Sequence, residues 1–116
     1  MTENVGAERN EVGLLTALEK LDKLKACVPN LKAKDFHDLM RVSEATSLLQ
    51  VAEISTRTAL YRKESRNKPY HHRLDYPETN DEKWCGQVII RNREETECEI
   101  VFKPLAFAIP AAEGEK

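Results

Sequence analysis

From Asp35 to Lys68 the chain contains neither glycine nor proline. Such a stretch has no residue that breaks or kinks a helix. Asp35 is a good N-cap, and Asp38 adds negative charge near the positive end of the dipole. The reading is one long helix over about residues 35–64, a rod of roughly 45 Å at about 1.5 Å per residue. Its apolar positions include Leu39, Met40, Val42, Leu48, Leu49, Val51, Ala52, Ile54, Ala59, Leu60 and Tyr61. They cover more than one face, and a helix apolar on several sides needs cover on several sides. One short partner helix cannot supply it. The helix is therefore expected to pack against something larger than this chain, or against a second copy in a homodimer.

That partner helix spans about residues 10–28. Asn10 caps it, Glu11 lies in its first turn, and Leu14, Leu18, Leu21, Leu24 and Val28 follow helical spacing, with Leu15 widening the stripe. Pro29 stops it. Residues 1–9 are polar and expected to be disordered. Beyond the long helix, residues 66–81 read as a loop. Two strands follow, at about 87–91 and 97–103, joined by a turn over 92–95. In the second strand Cys98, Ile100 and Phe102 alternate onto one face, which reads as core. Residues 105–116 are expected to form a flexible tail. The fold class is mainly α with a small β part, a helical hairpin or bundle with one long helix followed by a β-hairpin.

Composition removes several functions. The four glycines, Gly6, Gly13, Gly86 and Gly114, are scattered. A dinucleotide fingerprint or a P-loop needs its glycines clustered, because the backbone must turn tightly around phosphate. The chain thus has no standard site of its own for FAD, NAD or ATP. The net charge of -2 argues against general nucleic-acid binding. No apolar run approaches the roughly 18 residues of a membrane span. The three cysteines, Cys27, Cys85 and Cys98, are far apart and read as reduced thiols, so the chain is expected to be cytoplasmic. They form no CxxC pair that would hold a metal.

The densest segment runs from Arg62-Lys63-Glu64-Ser65-Arg66 through Tyr70-His71-His72-Arg73 to Asp75-Tyr76-Pro77, with Asn80-Asp81-Glu82-Lys83-Trp84 beyond it. One reading is a solvated basic end to the long helix, favoured by the dipole. The other is a docking surface, since Arg binds carboxylates and phosphates in planar pairs and Arg and Tyr are common interface anchors. His71 and His72 are adjacent and point apart in extended chain, so they read as exposed or docking residues rather than joint metal ligands.

This ordered pattern resembles the C-terminal domain of fumarate reductase and succinate dehydrogenase flavoproteins, a family related to L-aspartate oxidase and the α subunit of adenylylsulfate reductase. The resemblance rests on Arg62 to Arg66, Arg73, Asp75-Tyr76-Pro77 and Asn80 to Trp84. Leu48 to Glu53 and Thr58 to Leu60 resemble the family's long helix. It covers about residues 35–104. Succinate dehydrogenases usually have Gly where this chain has Asn67, and a loop about two residues shorter before the Arg, so the loop is closer to the adenylylsulfate reductase branch. The resemblance implies a module that packs on a flavin domain, with FAD held there and catalysis performed there. It implies no catalytic residue and no metal in this chain.

On that reading Arg62, Arg66 and Arg73 dock onto the flavin domain or an iron–sulfur partner. Glu64 and Asp75 orient the arginines, with Ser65 between them. Tyr70, Tyr76 and Trp84 supply contact area, and His71 and His72 border it. Two other classes stand beside this one. A stand-alone nucleic-acid binder could use Arg57, Arg62, Lys63, Arg66, Lys68 and Arg73 interleaved with Tyr61, Tyr70 and the two histidines. A small enzyme could use His71 or His72 as general base, though no nucleophile or oxyanion loop accompanies them.

Overall fold

The computed structural model describes residues 1–68, 70–94 and 97–106, leaving aside the side chains of residues 93, 94 and 97. The chain divides into two compact units, the first Met1–Thr79 and the second beginning at Asn80. The elements of the first unit are β1 (Glu8–Arg9), α1 (Glu11–Cys27), a single 3-10 turn (Val28–Asn30), α2 (Phe36–Tyr61) and β2 (His72–Arg73). Those of the second are α3 (Asp81–Trp84), β3 (Gly86–Glu94) and β4 (Glu97–Pro104).

Both long helices start where side-chain chemistry dictates. Asn10 Oδ1 accepts from Gly13 N at 2.7 Å, and Asp35 Oδ1 accepts from Asp38 N at 2.8 Å. The helices pack as a hairpin with a narrow seam. Leu14, Ala17 and Leu21 of α1 and Ala59 of α2 are its fully buried apolar residues among those described. Glu53 clips the two helices together, accepting from Lys25 Nζ at 2.6 Å and from Arg57 Nε at 3.0 Å. These bonds hold its carboxyl below the usual range, the Lys25 bond first.

Two expectations fail in the first unit. The long helix ends at Tyr61, not near residue 64, and Arg62 is already extended with φ -78° and ψ 105°. Glu64 and Ser65 leave the helix because they are wholly buried in contacts with the following loop. The N-terminal residues, expected to be disordered, are fastened instead. Glu8–Arg9 pairs in parallel with His72–Arg73. His72 N donates to Ala7 O at 3.0 Å and Leu74 N donates to Arg9 O at 2.7 Å. A short segment gains order when a distant strand satisfies its backbone groups.

In the second unit Asn80 caps α3, accepting from Lys83 N at 3.1 Å. β3 and β4 are antiparallel, with Val88 opposite Phe102 and Ile90 opposite Ile100. Trp84 meets Phe102 edge to face at 5.4 Å between ring centroids. Gly86 is required by space, since a Cβ there would lie 2.6 Å from the Phe102 ring. Cys98, expected in the core, is exposed. The residues joining the two strands, 95 and 96, and the expected tail from 107 to 116 lie outside the described residues.

Candidate docking site

The charged segment after α2 folds into a buried polar knot. Arg66 pairs with His71 across a tight turn, in which Tyr70 N donates to Asn67 O at 2.8 Å. Asn67 takes φ 50°, a left-handed conformation that Asn and Gly adopt with least strain.

Arg73 is at the centre and is wholly buried. Its Nε donates to Asp75 Oδ1 at 2.8 Å and its Nη2 to Asp75 Oδ2 at 2.6 Å. Its Nη1 reaches the carbonyls of Ala59 at 2.9 Å, Leu60 at 3.2 Å and Arg62 at 3.2 Å. A helix leaves its last carbonyls without partners, and here a guanidinium satisfies them. The same cation lies 5.2 Å from the Tyr76 ring centre. Asp75 also accepts from Glu11 N at 3.3 Å, at the positive end of α1. The Arg73 bond holds the Asp75 carboxyl below its ordinary range.

Ser65 ties the loop from inside. Its Oγ accepts from Arg73 N at 2.9 Å and donates to Tyr76 O at 2.7 Å. Ser65 N donates to Glu78 O and Thr79 Oγ1 donates to Ser65 O. Glu64, also wholly buried, accepts from Arg62 Nη1 and from both Arg66 Nε at 2.7 Å and Nη2 at 3.1 Å.

Most of the expected site residues are thus brought together, but in a different role. Glu64 holds the Arg66 head group and Asp75 that of Arg73. Arg73 faces inward, so it braces the fold and offers no docking contact. A cation this deep is tolerated because its guanidinium is bonded to a carboxylate and three carbonyls, all acceptors. Arg62 and Arg66 keep partial exposure, with side chains 16% and 29% accessible. Tyr70 is 77% exposed and Tyr76 is 36% exposed. His71 and His72, read as exposed or docking residues, are half-buried. Burial, then the Arg9 charge, lowers the His71 ring from its ordinary value. Trp84 stands in the second unit against Phe102.

Two residues of the knot carried no signal in the sequence. Arg9 donates to Gly6 O at 2.9 Å and to Tyr70 O at 3.0 Å, anchoring the loop from the far end of the unit. Thr79 closes it from the other side. Among the described residues no group of His, Cys, Asp or Glu is arranged to hold a metal, and no helix is long and apolar enough to cross a membrane.

Residues 1–114 match the family described as the fumarate reductase flavoprotein C-terminus. The chain is 42% identical over 94 residues to an uncharacterised FAD-dependent oxidoreductase of Methanocaldococcus jannaschii, covering 81% of this chain and 17% of the relative. It is 35% identical over 94 residues to the fumarate reductase flavoprotein subunit of Helicobacter pylori, covering 77% and 13%. Among solved structures, adenylylsulfate reductase from Archaeoglobus fulgidus superposes with a TM-score of 0.84 at 38% identity over 90% of this chain and 16% of that one. E. coli quinol fumarate reductase shares the fold, with a TM-score of 0.84 at 24% identity over 97% and 20%. The chain spans less than a fifth of the curated relatives' length. With the family model matched over nearly its whole length, the chain belongs to the fumarate reductase flavoprotein C-terminal family.

Proposed function

We propose that this chain serves as the C-terminal module of an FAD-dependent oxidoreductase, in which it braces a flavin domain and leaves the chemistry to it. One observation carries this reading. The helices bury little of their apolar surface against each other, while Phe36 is 90%, Leu48 68% and Val51 61% exposed. A groove of about 630 Å³ runs between α1 and α2, walled by Leu21, Leu24, Val28, Leu48 and Val51. Exposed apolar surface of this extent marks a contact face. The relatives supply the partner, since in them the same domain belongs to a much longer flavoprotein. FAD is expected on that flavin domain, and hydride transfer or sulfur chemistry would occur there. The exposed Tyr70 turn is the part left to meet a second partner, such as an iron–sulfur subunit. The free cysteines Cys27, Cys85 and Cys98 suit a reducing, cytoplasmic compartment.

The test is complementation. The M. jannaschii relative, shortened by the segment that this chain matches, is co-expressed with the chain. A co-purifying pair with a flavin spectrum is expected. A flavin-loaded shortened relative that leaves the chain behind would sink the reading, and a chain that instead sediments as a dimer would assign the groove to a second copy.

A further inference from the structure

The first unit holds a second concavity, quite unlike the apolar groove. It measures about 280 Å³ and is lined by Arg9, Ser55, Thr58, Ala59, Arg62 and His71. No carboxylate is among these residues. Its lining takes Arg9 from β1, Arg62 from just beyond α2 and His71 from the turn before β2. Arg9 is held by the carbonyls of Gly6 and Tyr70, which fix its position without neutralising it.

His71 is the informative member. Of its two ring nitrogens, one is acted on by the Glu64 backbone carbonyl, which favours the protonated ring. The other, Nε2, is buried and has no hydrogen-bond partner among the described residues. Buried polar atoms without partners are rare and call for an explanation. The charges that act on this ring are Arg9 from β1, Arg62 after α2 and Arg73 from β2, and all three disfavour a second proton. The Glu64 carboxylate is engaged by Arg62 and Arg66, and the Arg73 charge is met by Asp75. An anion between Arg9 and His71 would reverse that balance. It would pair with the guanidinium and make a protonated Nε2 a useful donor.

We propose that this concavity binds a small oxyanion, such as a sulfate, phosphate or carboxylate group, between Arg9, Arg62 and His71, and that His71 takes a proton from solvent onto Nε2 as the anion enters. No bond in the anion breaks. Ser55 and Thr58 line the helical wall, where Thr58 Oγ1 donates to the Ile54 carbonyl at 2.9 Å.

The probe is sodium sulfate, added to the full chain at constant ionic strength against sodium chloride, with the His ring resonances followed by NMR. Sulfate should give a saturable response at His71 that His37 and His72 do not share. Its affinity should rise up to about tenfold for each unit by which pH falls, between the His71 midpoints of the sulfate-bound and the free chain. Arg9→Gln should weaken sulfate at least about tenfold, with helical circular dichroism confirming that the variant folds. Ser55→Asp, at an exposed helix position, places a tethered carboxylate in the site. It should raise the His71 midpoint without sulfate and abolish the sulfate response. An equal response to chloride, or an equal response at all three histidines, would overturn the proposal. So would a Ser55→Asp variant whose His71 midpoint and sulfate binding are unchanged.

Discussion

Arg73 and Asp75, two residues apart, close a planar two-point ion pair at 2.8 and 2.6 Å while the arginine alone is wholly buried. The asymmetry sets the cost of change. Removing Asp75 leaves a buried cation without its partner, and removing Arg73 uncovers the last carbonyls of α2. Breaking a buried pair costs about 3–5 kcal/mol. Small domains are stable by only about 5–15 kcal/mol. Arg73→Ala is therefore expected to remove a large part of the first unit's stability, read as a lowered midpoint in urea titration of the helical signal. Arg73→Lys should rescue little, because an ammonium cannot span both oxygens and the carbonyls.

Acid should act on the same pair. Asp75 has its proton affinity depressed from an ordinary 3.8, chiefly by the Arg73 bond. A depressed carboxyl contributes stability that is present above its unfolded value and lost as pH falls through the folded one. Thermal midpoints should thus drop as pH is lowered below about 4. Asp75→Asn should be less stable at pH 7 and show a shallower acid decline.

His71 has the opposite chemistry and the same sign. Burial lowers its ring from 6.5, so the unfolded chain binds a proton more readily than the folded one. Stability should rise with pH between the folded value and 6.5. His71→Gln should flatten that rise. An unaltered slope in the variant would place its origin elsewhere.

Ser65→Ala removes one hydroxyl that serves two backbone groups, Arg73 N and Tyr76 O. A buried donor left unpaired costs about 1–3 kcal/mol. The variant should fold with a urea midpoint lowered accordingly and an unchanged slope. If the loss is nearer zero, water has replaced the hydroxyl.

The Asn67 turn gives a backbone test. At φ 50° an ordinary side chain costs about 1–2 kcal/mol, whereas glycine does not. Asn67→Gly should be close to neutral and Asn67→Val clearly destabilising in the same thermal melt.

The helices and the hairpin were legible because local signals specify them. Asn10 and Asp35 marked the caps, Pro29 the stop, and the Val-Ile-Ile run a strand. The knot was legible as residues but not as geometry. Arg73 was read as a surface cation because charge usually stays in water, and only the carbonyls of Ala59, Leu60 and Arg62 explain its burial. The β1–β2 pair is too short to leave a period. Cys98 alternates with Ile100 and Phe102, yet that face is not closed over at its position. What was missed depends on contacts distant in sequence.

The clasp between the N-terminal residues and the loop after β2 has a kinetic consequence. Glu11 and Asp75, joined by a hydrogen bond, are separated by 64 positions. Closing so long a loop costs entropy that its two-residue strands return only once the helices have already brought the ends together. The helical hairpin therefore forms first and the clasp locks last. Because that final step gathers Arg9, Arg73 and Asp75 at once, a wrongly paired hairpin is expected to forgo their bonds to Tyr70, to each other and to Glu11.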